Sequence, residues 1–261
     1  VVSVLRTGHD LDDVTIRARY EALVARGGLG PAFVRRVIAL AGPAARGRVA
    51  DIGCGAGELL GALGRAWPGR ALYGVDHAAS RLRAAAALAP GVRLVDADVG
   101  AGLPFGDGTF ERIFCTEVLE HVKEPQRSLR EIRRVLARGG RLVLSVPNAT
   151  GFAPFHRLGR LLPGGWLRGK LLPYEHPANT DQPVDTCWTY AEIRALVHAG
   201  GFAIEAEDGM AYFRYLEMLP GVRDVWRPAI AERVLPRLGA RRFAYHVLLR
   251  CRPADGEAPA C

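Results

Sequence analysis

Five stretches carry the residues best able to do chemistry. Asp51-Ile52-Gly53-Cys54-Gly55-Ala56-Gly57 sets three glycines at alternate positions behind a carboxylate. Asp76 and Asp98 each close a short apolar run, LYGVD and LVDAD. Glu117-Val118-Leu119-Glu120-His121 spaces three titratable groups at i, i+3 and i+4, which share one face if the segment is helical. The segment 147–188 holds His156, Tyr174, Glu175, His176, Asp181 and Asp185 among prolines, glycines and aromatics.

Alternating glycines permit positive φ and let a ligand lie close against the main chain. Dinucleotide sites use such loops too, but their G-x-G-x-x-G pattern wants a glycine at 58, where this chain has Glu58. No Gly-Lys-Ser/Thr follows, which excludes a P-loop. A carboxylate at 51 favours a cationic group nearby. Asp76, at a strand end, can take both hydroxyls of a ribose, and Asp98 can accept from an adenine amino group. A nucleoside that carries an ammonium and no phosphate meets all three demands, and S-adenosylmethionine is that molecule. Asp96 competes with Asp98 for the adenine role; the spacing to Leu103-Pro104-Phe105 favours Asp98.

The elements that must position these groups follow from periodicity. Residues 11–42 read as two helices, the second opening on Pro31 and stopping before Gly42-Pro43. Beyond them, short strands (48–52, 71–75, 92–95, 110–115 and 141–146) alternate with helices (one through Leu59, Leu60 and Leu63, then 80–88 and 125–136). This alternation predicts an α/β fold with a parallel sheet covered on both faces. After the irregular stretch to 188 come a helix at 190–199, a strand at 202–207, a second irregular region at 208–240 and a last strand at 243–249. The expected division is an N-terminal helical lid at 1–45, a ligand-binding core at 46–148 and a covering insertion at 149–188. The C-terminal part of the core follows at 189–252, then a frayed tail at 253–261.

Composition sets limits. With 261 residues, 49% apolar and 24% charged, the chain is long enough for one large globular domain and is not a disordered one. No run reaches the roughly 18 apolar residues of a membrane span, and the first residues show no basic segment leading into an apolar core. A cytoplasmic protein is the expectation. The net charge of +8 rests on 33 arginines against two lysines, Lys123 and Lys170. They are spread along the chain without a stripe of interleaved aromatics, which argues against a nucleic-acid partner. Five cysteines, odd in number and widely separated, read as reduced thiols rather than a disulfide framework.

The blocks VADIGCGAGELL (49–60), LYGVD (72–76), DADVGAGLPFGDGTFERIFCTEVLEHV (96–122) and REIRRVLARGGRLVLSVPN (130–148) resemble the class I S-adenosylmethionine-dependent methyltransferases. The similarity points to the small-molecule group that includes the ubiquinone-biosynthesis O-methyltransferases. It implies a Rossmann-like seven-stranded, mostly parallel sheet with helices on both faces and an antiparallel last strand. It also implies cofactor contacts at Asp51, Gly53, Cys54, Gly55, Gly57, Asp76, His77, Asp98, Val99 and Cys115, with Tyr20 as an aromatic lid. Gly57 has an alternative role in helix–sheet packing alone, and Cys54 one as a small apolar filler.

Methyl transfer from a sulfonium is an in-line displacement that needs alignment in a dry site, and a base only when the acceptor carries a proton. Glu117 and His121 offer that base, or part of a divalent-metal site, or a hydrogen-bonded brace for the loop. Small-RNA 2′-O-methyltransferases pair E-x-x-E-H with a distant His before W-T. Here Trp188-Thr189 is present but Val184 and Asp185 stand in the His position, so the metal set is incomplete and no metal is expected. His176 is the alternative base, against a reading as a solvated loop residue. Phe152, Phe155, Trp166 and Trp188 either stack on an acceptor or pack a lid. The expected activity is methylation of a small molecule, foremost at a hydroxyl oxygen in a biosynthetic or secondary-metabolite pathway, by a monomer or homodimer. N- or C-methylation, an RNA methyltransferase and a non-catalytic S-adenosylmethionine-binding partner subunit are the competing readings.

Overall fold

The computed structural model describes residues 5–7, 10–22, 29–149, 183–212, 233–235 and 237–254. The strands are β1 (Leu5–Thr7), β2 (Val49–Ile52), β3 (Leu72–Asp76), β4 (Arg93–Asp96), β5 (Phe110–Thr116), β6 (Leu136–Pro147), β7 (Asp185–Cys187), β8 (Phe202–Met210) and β9 (His246–Pro253). The helices are α1 (Asp13–Ala22), α2 (Pro31–Ala41), α3 (Glu58–Ala66), α4 (Ala79–Leu88), α5 (Pro125–Val135) and α6 (Tyr190–Ala199). Among these residues one sheet has seven strands in the order β4-β3-β2-β5-β6-β9-β8, and β1 pairs with β7 apart from it. All neighbours pair in parallel except β9, which runs antiparallel to both β6 and β8.

The period of two along each strand sorts the side chains onto two faces. Ile113, Cys115, Leu142, Leu144, Val247 and Leu249 point to the side covered by α5 and α6, where Leu129, Ile132, Ile193 and Val197 complete one core. Phe114, Val143 and Leu248 point to the other, against Phe33, Val37, Leu59, Leu60 and Leu63 of α2 and α3. Burial on both faces is why LVLSV carries no charge. Local chemistry ends the helices where expected: Pro31 opens α2, Gly42 at φ 77 closes it, and Thr189 with Glu192 forms a reciprocal capping box at α6.

Several boundaries differ from the sequence reading. The third strand lies one residue later, at 93–96. The fifth begins at Leu136 rather than after the Arg138-Gly139-Gly140 turn, because Leu136 pairs with Phe110 ahead of a register shift. The region taken as irregular from 208 opens within β8, and the last strand starts at His246 after a short 3-10 turn at Ala240–Phe243. Among the described residues no helix is long and apolar enough to cross a membrane.

Candidate active site

A cavity of about 590 Å³ opens over the carboxyl ends of β2, β3 and β5 and is roofed by α1. This is the edge at which open parallel sheets bind ligands. Its walls include Tyr20, Gly53, Asp76, His77, Asp98, Val99, Glu117 and His121, so the sheet brings together eight of the residues singled out in sequence.

Its glycine loop is already satisfied from within. Gly53 and Cys54 donate their N–H groups to the Val75 carbonyl at 2.7 and 2.9 Å, Gly57 donates to the Cys54 carbonyl, and Gly55 to an Asp76 carboxylate oxygen at 3.0 Å. A pyrophosphate cradle needs such N–H groups free and aimed at the anion; here four of them are spent. Gly53 and Gly55 take φ of 73 and 53. A Cβ on Gly55 would meet nothing within 4 Å, which leaves its main chain open to a ligand, whereas one on Gly53 would lie 2.3 Å from Cγ2 of Val118. Gly57 does something else. It lies off the cavity, and a Cβ there would come within 3.0 Å of Ala85, so it brings the start of α3 against α4.

The carboxylates divide the work. Asp76 is buried at the cavity wall and accepts from Gly55 through one carboxylate oxygen and from Ala78 through the other, each oxygen having capacity for a second bond. Asp98 borders the cavity and accepts from Gly100, while Asp96 is held by Arg17 at 2.6 Å. Asp51 is buried one residue before the cavity wall, and its Oδ1 has no hydrogen-bond partner. Burial, reinforced by Asp76 and Glu58, pushes its carboxyl well above the usual carboxylate range. An orphaned acid oxygen behind the loop and an uncovered main chain at Gly55 fit a ligand bearing an ammonium. Cys54 and Cys115 are buried off the cavity, and burial raises both thiols.

The roof is tied down by polar contacts. Tyr20 is buried with its ring edge-on to His77 at 4.9 Å, Lys123 pairs with Asp13 at 2.9 Å, and the Glu21 carboxylate accepts from the first N–H groups of α4.

The segment after β5 corrects the sequence reading. It is not an α-helix. Glu117 takes φ 54, and only Leu119–His121 forms a single 3-10 turn, so Glu117, Glu120 and His121 do not share a helical face. Ser145 pins the left-handed Glu117 at both ends: its carbonyl accepts the Glu117 N–H, and its hydroxyl donates to Oε1 at 2.7 Å. Oε2 meets Nδ1 of His246 at 3.0 Å. Burial works against the Glu117 carboxylate, but His246, Ser145 and His121 outweigh it and hold the carboxyl below its ordinary range. Glu120 is driven the other way by burial and by Glu117. Glu117 is thus a non-glycine residue held at positive φ beside the cavity, a conformation such residues seldom adopt. Among the described residues no cluster of three or more His, Cys, Asp or Glu is arranged to hold a metal ion. His156, Tyr174, Glu175, His176 and Asp181 lie outside the described residues, as do Phe152, Phe155 and Trp166.

His121 hydrogen-bonds through Nδ1 to the Val184 carbonyl, and burial lowers it from 6.5 to about 4. The unfolded chain therefore takes up this proton first as pH falls, and stability drains away between about 6.5 and 4. Asp185, raised by burial to about 6, has the opposite slope, since its neutral form is favoured in the fold as pH falls below that value. Replacing His121 by Gln is expected to leave the protein about 2 kcal/mol less acid-sensitive between pH 7 and pH 5. Urea midpoints at the two pH values check this; equal losses in parent and variant would show that His121 titrates normally.

The sheet order with one antiparallel strand next to the edge, and a phosphate-averse glycine loop beneath a nucleoside-sized cavity, define the methyltransferase type of Rossmann-like fold. A family profile described as a methyltransferase domain matches residues 50–144. The demethylmenaquinone methyltransferase of Thermus thermophilus is 32% identical over 184 residues, 66% of this chain and 82% of that protein. A ubiquinone biosynthesis O-methyltransferase of Xanthomonas euvesicatoria is 31% identical over 175 residues, covering 63% of this chain and 66% of that one. Other relatives match over shorter stretches, the chain spanning under half of their length. Among solved structures, a methyltransferase in complex with a methyltransferase activator from Haloferax volcanii superposes with a TM-score of 0.63. At 19% identity, over 93% of this chain and 99% of that one, it shares the fold. The chain belongs to the class I S-adenosylmethionine-dependent methyltransferases, enzymes acting here on a small-molecule acceptor.

Proposed function

We propose that this enzyme transfers the methyl group to a hydroxyl oxygen of a small molecule in a biosynthetic or secondary-metabolite pathway. When bound, S-adenosylmethionine supplies a methyl on a positively charged sulfur, so the protein has only to align, exclude water and receive a proton. In this reading the main chain at Gly53 and Gly55 cradles the methionine and ribose, Asp51 answers the ammonium from behind the loop, and Asp76 holds the ribose hydroxyls. Asp98 and Val99 bind the adenine, and Tyr20 with His77 closes the roof. Cys54 and Cys115 fill the wall behind, and Gly57 keeps α3 and α4 close enough for the loop to form.

The observation that carries the preference for oxygen is the Glu117 carboxylate. It stands ionised at the cavity wall, hydrogen-bonded to an imidazole, where a hydroxyl must give up its proton. The name of the Xanthomonas relative, an O-methyltransferase, agrees with it. Incubating the enzyme with S-adenosylmethionine and a panel of hydroxylated small molecules, phenols and catechols among them, should yield S-adenosylhomocysteine together with a methyl ether. NMR of the product locates the methyl. A methyl group found on carbon or nitrogen would overturn the assignment.

A further inference from the structure

We propose that His246 is the catalytic residue that takes the acceptor's proton, with Glu117 as the positioning residue that orients it. The proposal rests on the O-methyl reading above and adds to it the identity of the base.

The sheet places His246 where an acceptor has to lie. The cofactor cavity covers the ends of β2, β3 and β5. A nucleophile must reach the methyl from the side away from sulfur, and the sheet continues past Glu117 to the end of β6 and the start of β9. Because β9 is antiparallel, its first residue sits at the same edge as the last residues of β5 and β6: His246 is opposite Pro147, two places beyond Ser145. Glu117 borders the cavity on one side and bonds His246 on the other. The carboxylate thus stands between the cofactor and the imidazole, and an acceptor on the β6–β9 side touches both the methyl and the ring.

The hydrogen bonds assign the ring its role. With Oε2 of Glu117 accepting from Nδ1–H at 3.0 Å, the lone pair of a neutral His246 is on Nε2. Nε2 has no protein partner among the described residues. The ring is fixed by Phe33, edge-on at 5.2 Å, and by Tyr245 at 4.4 Å. Glu117 cannot swing away, because Ser145 holds its other oxygen and its N–H. A carboxylate locked on one nitrogen, leaving the other free and stabilising the cation that forms, is the arrangement that makes an imidazole a general base. Ionisable groups near the start of β9 include Tyr245 and the Arg36–Asp208 ion pair between α2 and β8, while farther along β8 Glu205 pairs with Arg141 and Arg250, and Glu207 with Arg194.

His121, nearer the cofactor, lacks these features. Its Nδ1 partner is a carbonyl, its Nε2 is 3.9 Å from Glu120, and burial leaves no favourable place for a cation. In the reaction the acceptor oxygen bonds to the methyl carbon, the electron pair of the carbon–sulfur bond stays on sulfur, and the hydroxyl proton passes to Nε2 of His246. The imidazolium then loses that proton to water, and charge and atoms balance.

The test compares the parent enzyme with His246→Gln and His246→Gly, using whichever hydroxylated acceptor of the panel gives a methyl ether. Turnover is expected to fall at least a hundredfold in both, within the range that a positioned base contributes. S-adenosylmethionine affinity, read by calorimetry, should change less than threefold, because His246 lies off the cofactor cavity. Free imidazole should restore turnover to His246→Gly, a rescue that a purely structural histidine does not allow. If the methyl ether forms and His246→Gln turns over at the parent rate, the assignment of His246 is wrong while the O-methyl reading stands. If no hydroxylated acceptor gives an ether, the underlying reading has failed and the base falls with it. Imidazole NMR supplies a measurement independent of any acceptor: a proton on Nε2 rather than Nδ1 in the neutral parent enzyme would overturn the proposal.

Discussion

Replacing Asp76 by alanine is expected to weaken S-adenosylmethionine binding about a hundredfold. Each oxygen of this buried carboxylate already accepts a main-chain N–H, from Gly55 at 3.0 Å and from Ala78 at 2.9 Å. The first bond sets the shape of the glycine loop and the second starts α4. Losing these two bonds loosens the loop and the start of α4. The expected fall in affinity comes from the two ribose hydroxyls that Asp76 accepts in the proposed site: hydrogen bonds to a charged group are worth roughly 1.5 kcal/mol each or more, and two such losses correspond to about two powers of ten. Calorimetric titration measures the effect directly, and NAD titrated in parallel should not bind the parent, whose loop has spent the N–H groups that a pyrophosphate requires. An affinity within threefold of the parent would remove Asp76 from the site.

A second substitution acts by shape alone. Gly53→Ala places a Cβ at φ 73, and 2.3 Å from a methyl of Val118. The backbone conformation costs an L-residue roughly 1–2 kcal/mol, and the overlap costs about 1–3 kcal/mol more because a branched side chain on a constrained turn cannot swing aside. Both residues border the cavity, so the adjustment distorts the pocket itself. Cofactor affinity and stability are expected to fall together. Adding Val118→Ala should recover the part due to overlap and leave the part due to φ. A double-mutant cycle in urea therefore predicts a coupling of about 1–2 kcal/mol; strict additivity would show that Val118 is not what Gly53 makes room for.

The two variants probe features of different legibility. Gly53, Gly55 and Asp76 could be found in sequence, because alternating glycines behind a strand and an acid closing the next strand are local patterns with a local physical cause. Val118 gave no such signal. A valine after a strand is ordinary, and its importance arises only when the turn after β5 folds back against the loop after β2. Glu117 and His121 were legible as candidates, but a period of three and four reads as a helix whether or not one forms, and the contacts of Ser145 and His246 with Glu117 turn the chain the other way. Nor could the sequence show that Arg17 on α1 pairs with Asp96, while Asp98 borders the cavity.

Seventy-nine residues separate Arg17 from Asp96, and 129 separate Glu117 from His246. The arginines show the same principle. They look dispersed along the chain, yet α5, β6 and the end of β9 gather Arg127, Arg130, Arg133, Arg134, Arg138, Arg141 and Arg252 around one groove.

What the sequence determined by itself is the alternation of strands and helices, the glycine turn and the acids that close successive strands. Each of these depends on residues within a few positions of one another, through sterics and hydrophobic period. The tertiary structure decided which side chains meet across the sheet edge. An antiparallel β9 inserted beside β6 carries His246 to Glu117, and strand order is set by the burial of two faces at once, which no short window of residues contains.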